Sequence, residues 1–131
     1  MAVIILEDEP LQEIQGWSAD GTILKVSKPA GPTDSVRLTS LPYWLPHVFL
    51  SIKTYSDAAG TAEATDTTGV FTVTVKTINS MAYEAITDGP TITAATPTTS
   101  SWDGNTDGVN VAVTTPLTST VTWRAFLTFN R

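Results

Sequence analysis

Val121-Thr122-Trp123-Arg124-Ala125-Phe126-Leu127-Thr128-Phe129 is the stretch that decides the fold class. In an extended chain Val121, Trp123, Ala125, Leu127 and Phe129 fall on one side, while Thr122, Arg124 and Thr128 fall on the other. Successive side chains of a β-strand point to opposite faces, so this period of two predicts a strand with one buried and one solvated face. Residues 70–78 repeat the pattern, with Phe71, Val73 and Val75 opposed to Thr72, Thr74 and Lys76. Strands that keep one face wet belong to antiparallel sheets. A helical period of 3.6 hardly occurs anywhere in the chain.

Outward from these two strands, shorter ones are expected at 3–6, 22–27, 35–38, 48–55, 83–86, 91–95 and 109–113. Ser18-Ala19-Asp20-Gly21 closes a hairpin between 14–17 and 22–26. Pro29-Ala30-Gly31-Pro32 stops the next strand, because proline cannot donate to a sheet ladder. Asp88-Gly89-Pro90 is a further stop, since Asp-Gly supplies positive φ in a turn. Many short strands at this spacing predict an all-β chain: a single antiparallel β-sandwich or jelly-roll-like domain over 12–131, with a closed barrel as the main rival. Residues 1–11 stand apart as an N-terminal arm or edge strand, with apolar Val3, Ile4, Ile5 and Leu6 ahead of Glu7-Asp8-Glu9. Residues 56–69, small and polar, are long for a hairpin and read as mobile or ordered by a partner.

The chain has 131 residues and no cysteine, enough to bury a core without disulfide or metal. The absence of thiols excludes zinc fingers, iron–sulfur sites and cysteine nucleophiles. Its 24 threonines against four lysines make the polar surface β-branched and low in charge. The net charge of −6, with seven bases scattered singly, argues against nucleic acid and against an anionic membrane surface. The apolar start is short, lacks a preceding base and runs into acids, so it does not read as a secretory signal. The apolar run at 45–50 is broken by Pro46 and His47 and is too short to span a bilayer.

Catalytic chemistry finds little footing. The single histidine, His47, has no nucleophile motif beside it, and a histidine-based metal site needs more imidazoles than one. Neither a phosphate-binding loop nor a dinucleotide fingerprint is present. No acid pair sits in a motif that would place it for glycoside hydrolysis. Asp103-Gly104-Asn105-Thr106-Asp107-Gly108 matches the first half of a calcium loop, but Thr114 stands where the bidentate glutamate belongs. The same string reads equally as a β-turn. No cofactor, metal or catalytic residue is therefore expected. Aromatic residues are the better lead. Trp123 belongs to a core face, whereas Trp102 and Tyr43-Trp44, the latter between Pro42 and Pro46, are candidates for exposure. Exposed aromatics on rigid loops serve protein interfaces or stack on sugars.

Gly69-Val70-Phe71-Thr72-Val73-Thr74-Val75-Lys76, Tyr83-Glu84-Ala85-Ile86, Asp107-Gly108-Val109-Asn110-Val111-Ala112-Val113 and Val121-Thr122-Trp123-Arg124-Ala125 together resemble small all-β virion proteins of tailed bacteriophages. The resemblance covers about residues 69–131 and is one of pattern and composition. It implies a non-enzymatic structural protein, most naturally a head decoration (cement) protein. Its partners would be the major capsid protein and itself, as a homotrimer on the capsid surface, after synthesis in the host cytoplasm. A tail or fibre-attachment subunit, or a carbohydrate- or receptor-binding module, is the alternative. The interface residues expected are Val3, Ile4, Ile5 and Leu6 of the arm, with Tyr43, Trp44 and Trp102.

Overall fold

In the structure, a computed structural model describing residues 12–17, 23–85, 91–93 and 98–130, the alternating stretch becomes the central strand of a sheet. In chain order the strands are β1 (Gln12–Trp17), β2 (Ile23–Ser27), β3 (Val36–Leu38), β4 (His47–Tyr55) and β5 (Val70–Thr77). They continue with β6 (Glu84–Ala85), β7 (Thr91–Thr93), β8 (Thr99–Asp103), β9 (Thr106–Thr115) and β10 (Thr122–Asn130). One sheet runs β1-β2-β10-β4-β8; the other runs β3-β9-β5-β6, with β7 also paired to β5. Every pairing among the described strands is antiparallel. The protein is an all-β sandwich. No helix among the described residues is long and apolar enough to cross a membrane.

The period of two explains the packing. Trp123, Ala125, Leu127 and Phe129 of β10 are fully buried, and the register sets Ala125, Leu127 and Phe129 opposite Ile52, Leu50 and Val48 of β4. From the other sheet Phe71, Val73, Val109 and Val111 close the same core. The Trp123 ring lies 4.8 Å from that of Phe71, and its indole N–H donates to the Gly31 carbonyl at 3.0 Å. A buried tryptophan needs such an acceptor for its one polar atom. Val121 departs from its expected place: it precedes β10 and is 46% exposed, because the strand's inward series begins at Trp123.

The connections repeatedly change sheets. β2 to β3, β3 to β4, β4 to β5, β7 to β8, β8 to β9 and β9 to β10 each carry the chain from one layer to the other. β8 is a strand where none was expected, and β9 starts three residues before the expected 109. Lys25 of β2 is a buried base. It lies on the inward row with Ile23 and Ser27, fully buried, and its Nζ donates to the Thr39 carbonyl at 2.9 Å.

Within residues 56–69 two carboxylates gather the local backbone donors. Asp57 accepts from the N–H groups of Thr61 and Ala62 and from the Thr61 hydroxyl. Asp66, fully buried, accepts six donors. Its Oδ1 takes Thr68 N–H, the Thr68 hydroxyl and Gly69 N–H; its Oδ2 takes Ser119 N–H, Thr120 N–H and the Thr120 hydroxyl. This one side chain ties the β4–β5 connection to the β9–β10 connection. The expected arm strand, Val3, Ile4, Ile5 and Leu6, lies outside the described residues.

Candidate functional site

At the other end of the sandwich three connections meet, and two of them bring apolar side chains into solvent. The first runs from β3 to β4. Leu41 and Leu45 are buried, Leu45 N–H donates to the Pro42 carbonyl at 3.0 Å, and Leu41 N–H donates to the Asp107 carbonyl at 3.1 Å. Those anchors leave Tyr43 and Trp44 at the crest of a tight turn, 40% and 58% exposed, with ring centroids 5.5 Å apart and planes at 82°. Edge-to-face packing of this kind is the favourable arrangement of two aromatic quadrupoles. Ser40, at φ 55°, turns the chain into the segment.

The second connection is the β8–β9 corner. Gly104 sits at φ 143°, a conformation that only glycine takes readily, and its N–H donates to the Pro46 carbonyl at 2.8 Å. Just outside the corner, His47 Nδ1 and Asp103 Oδ1 are 2.7 Å apart on the surface. Just inside, Trp102 donates its indole N–H to the Thr106 hydroxyl at 2.9 Å and packs against the core. Trp102 is thus half-buried and braces the tip from beneath instead of presenting a binding face. The reason is its position on the inward side of β8, alternating with exposed Thr99, Ser101 and Asp103.

The third connection leaves β5. Ile78 N–H donates to the Asn105 carbonyl at 2.9 Å, which fixes this segment beside the corner. Beyond it Ile78 is exposed and Met81 is 98% exposed. Sequence reasoning missed both. The signal was two apolar residues, Ile78 and Met81, in an otherwise polar turn, but nothing local placed them next to Trp44's loop. Behind the tip, Lys76 pairs with Asp107 at 2.6 Å, and the Arg37 guanidinium lies 4.4 Å from the Tyr83 ring centre. A Cβ at Gly108 would lie 2.5 Å from the Tyr83 hydroxyl, so a larger residue there would have to displace the Tyr83 ring.

The arrangement suits contact better than chemistry. In the calcium-like string, Asp103 turns to His47 and Asp107 turns to Lys76, so their oxygens do not converge. At the opposite end, burial pushes the Asp66 carboxyl up, but backbone N–H groups of Thr68, Ser119 and Gly69 and the Thr120 hydroxyl outweigh it. They hold the group well below the usual carboxylate range. The Thr61 hydroxyl, with the N–H groups of Ala62 and Thr61, holds Asp57 at about 2. Burial raises the Tyr55 phenol, opposed by the nearby Arg124 charge. A groove of about 270 Å³ runs along the β4 edge between Lys53, Thr54, Glu63 and Thr98.

A family model described as a domain of unknown function, DUF7265, matches residues 21–131. No curated protein matches. Two solved structures align over most of the chain. One is a structural-genomics protein of unknown function from Rhizobium leguminosarum bv. viciae 3841, at 11% identity and TM-score 0.41, covering 95% of this chain and 86% of that one. The other comes from the Bacillus endospore appendages described as disulfide-linked pili, at 11% identity and TM-score 0.36, covering 88% and 96%. Likenesses at this level carry no functional weight.

Proposed function

This chain belongs to the DUF7265 family, a domain of unknown function, and we propose that it is a non-enzymatic virion structural protein of tailed bacteriophages. In this reading it is a head decoration protein. It docks on the lattice of the major capsid protein, assembles there as a homotrimer and stabilises the shell. The observation that carries the proposal is the tip: Tyr43 and Trp44 held out between two prolines, with exposed Met81 and Ile78 on another connection at the same end. Large aromatic side chains on a braced turn lose little rotamer freedom on docking and supply the anchors of protein interfaces. The pattern over 69–131 that resembles small all-β virion proteins supports the choice of assembly.

Co-sedimentation with capsids of the phage that encodes the chain tests this. The expected result is saturable binding at a fixed ratio to the major capsid protein. Trp44→Ala should weaken it about thirtyfold, the effect of losing a hot-spot aromatic, with the melting temperature unchanged. Failure to sediment with capsids at any concentration would reject head decoration. A second reading, a carbohydrate- or receptor-binding module at the tail, is favoured by one observation: Trp44 presents its ring at the same end as exposed Asp103. Glycan binding that Trp44→Ala abolishes would move the assignment there.

A further inference from the structure

Residues 78–83, which join β5 to β6, carry their own bracing, as the Trp44 turn does. Ile78 N–H donates to the Asn105 carbonyl and Ser80 N–H to the Thr77 carbonyl, each at 2.9 Å. The Ser80 hydroxyl donates to the Ala82 carbonyl at 3.0 Å and accepts from Ala82 N–H at 3.2 Å. These bonds leave Met81 at the crest, with nearly all of its surface in solvent. Tyr83 holds the far end of the segment. Its ring reaches past β5 to Gly108 of β9, whose missing side chain leaves the hydroxyl its seat. Over the ring lies the Arg37 guanidinium of β3, which donates from Nε to Asn110 Oδ1 at 3.4 Å. A cation over an aromatic face is an attractive contact. The near end is fixed beside the first crest. Gly104 and Asn105 are consecutive, and one bonds the Pro46 carbonyl while the other bonds Ile78 N–H.

We propose that Tyr83 is a positioning residue: seated on Gly108 under Arg37, it fixes residues 78–82 as a second docking crest. Met81 is the anchor of that crest, and the two crests together take an uncharged protein surface. This deepens the reading of the tip as a capsid-docking end, on which it rests. Charge argues for such an occupant. Residues 38–46 and 77–83 contain no charged side chain, in a chain whose net charge is −6. The acids of the adjoining corner, Asp103 and Asp107, are turned to His47 and Lys76. Loss of charge with enrichment in aromatics and methionine marks the centre of a protein interface. Met81 also separates protein from sugar. A flexible thioether offers a sugar neither a flat ring nor a hydrogen bond, whereas it adapts to an irregular apolar pocket.

A double-mutant cycle in the capsid co-sedimentation assay tests this. Met81→Ala should weaken binding about fivefold or more, the loss of an interface anchor. Tyr83→Ala, which leaves Met81 in place, should weaken it to a similar extent. Tyr83→Phe keeps the ring under Arg37 and should bind like the native chain. If Tyr83 acts by placing Met81, its effect vanishes in the Met81→Ala background, so the double variant binds no worse than Met81→Ala alone. Hydrogen exchange supplies the readout without a partner. The Ile78 and Ser80 amides should exchange about tenfold faster in Tyr83→Ala and unchanged in Tyr83→Phe, while β10 amides stay protected in both. Native-like binding by Met81→Ala overturns the proposal. So does a Tyr83→Ala loss that persists undiminished in the Met81→Ala background, or exchange at Ile78 and Ser80 that Tyr83→Ala leaves unchanged. In those cases a Trp44→Ala variant that still binds weakly keeps head decoration standing and removes only the second crest. A native chain that never sediments with capsids removes the docking reading and this inference together. Glycan binding that Met81→Ala leaves intact would overturn the protein occupant.

Discussion

Asp66 is the residue on which the closed end of the sandwich depends. With six donors on one buried carboxylate, Asp66→Ala strands several N–H and hydroxyl groups at once. Each buried donor left without an acceptor costs about 1–3 kcal/mol, so a loss of about 3 kcal/mol or more is expected in urea unfolding. Asp66→Asn keeps the shape but puts an NH₂ against N–H groups, and it should fall only slightly short of that loss. The charge also sets the acid limb. The folded-state pKa of Asp66 is depressed below the ordinary 3.8, so its contribution is fully present above that value and is lost as pH falls below it. Asp57, lowered from 3.8 to about 2, adds in the same direction. Melting temperature should therefore drop between about pH 5 and pH 2 in the native chain and drop less steeply in Asp66→Asn. Parallel acid limbs for the two proteins would contradict this account of Asp66.

At the scale of elements, neighbouring positions on paired strands should respond oppositely to truncation. Trp123→Ala on β10 removes the largest fully buried side chain and leaves a cavity against Phe71, at a cost of about 3–5 kcal/mol. Phe49→Ser on adjacent β4 points outward and should change monomer stability by less than about 0.5 kcal/mol. Comparable losses from both would mean that the outward face is not solvated in the monomer. At the corner between sheets, Gly104→Ala forces a Cβ onto φ 143° and should cost about 1 kcal/mol or more, although the space around it is open. These strands differ in how legible they were. β5 and β10 announce themselves through apolar alternation, since each has one face in the core. β8 does not, because its Thr-Ser-Ser-Trp-Asp has one large apolar residue and sits at a sheet edge. The burial of Lys25 was not legible, because it depends on the ammonium reaching Thr39's carbonyl across the fold. The tip was half legible: Pro42 and Pro46 marked Tyr43 and Trp44, whereas Met81 joins them only through the Ile78–Asn105 hydrogen bond.

At the scale of the whole molecule, the sheet crossings make the fold indivisible. Neither sheet is built from a continuous stretch, because the chain changes layer after β2, β3, β4, β7, β8 and β9. One core cluster joins residues from both sheets, and Asp66 fastens two of the crossings together. A part of the chain therefore lacks half the partners of its own apolar face. Unfolding should be a single cooperative transition, with tryptophan fluorescence and far-ultraviolet circular dichroism coincident and the calorimetric enthalpy equal to the van't Hoff value. Refolding should be slow for a chain of this length, in milliseconds to seconds, because β10 must find β2 and β4 across most of the sequence. Two resolved transitions would show that one sheet holds together without the other. A core that yields only as a unit also suits the proposed role in assembly: a tip docked as proposed would pass load to both sheets together, since its three connections arise from both layers.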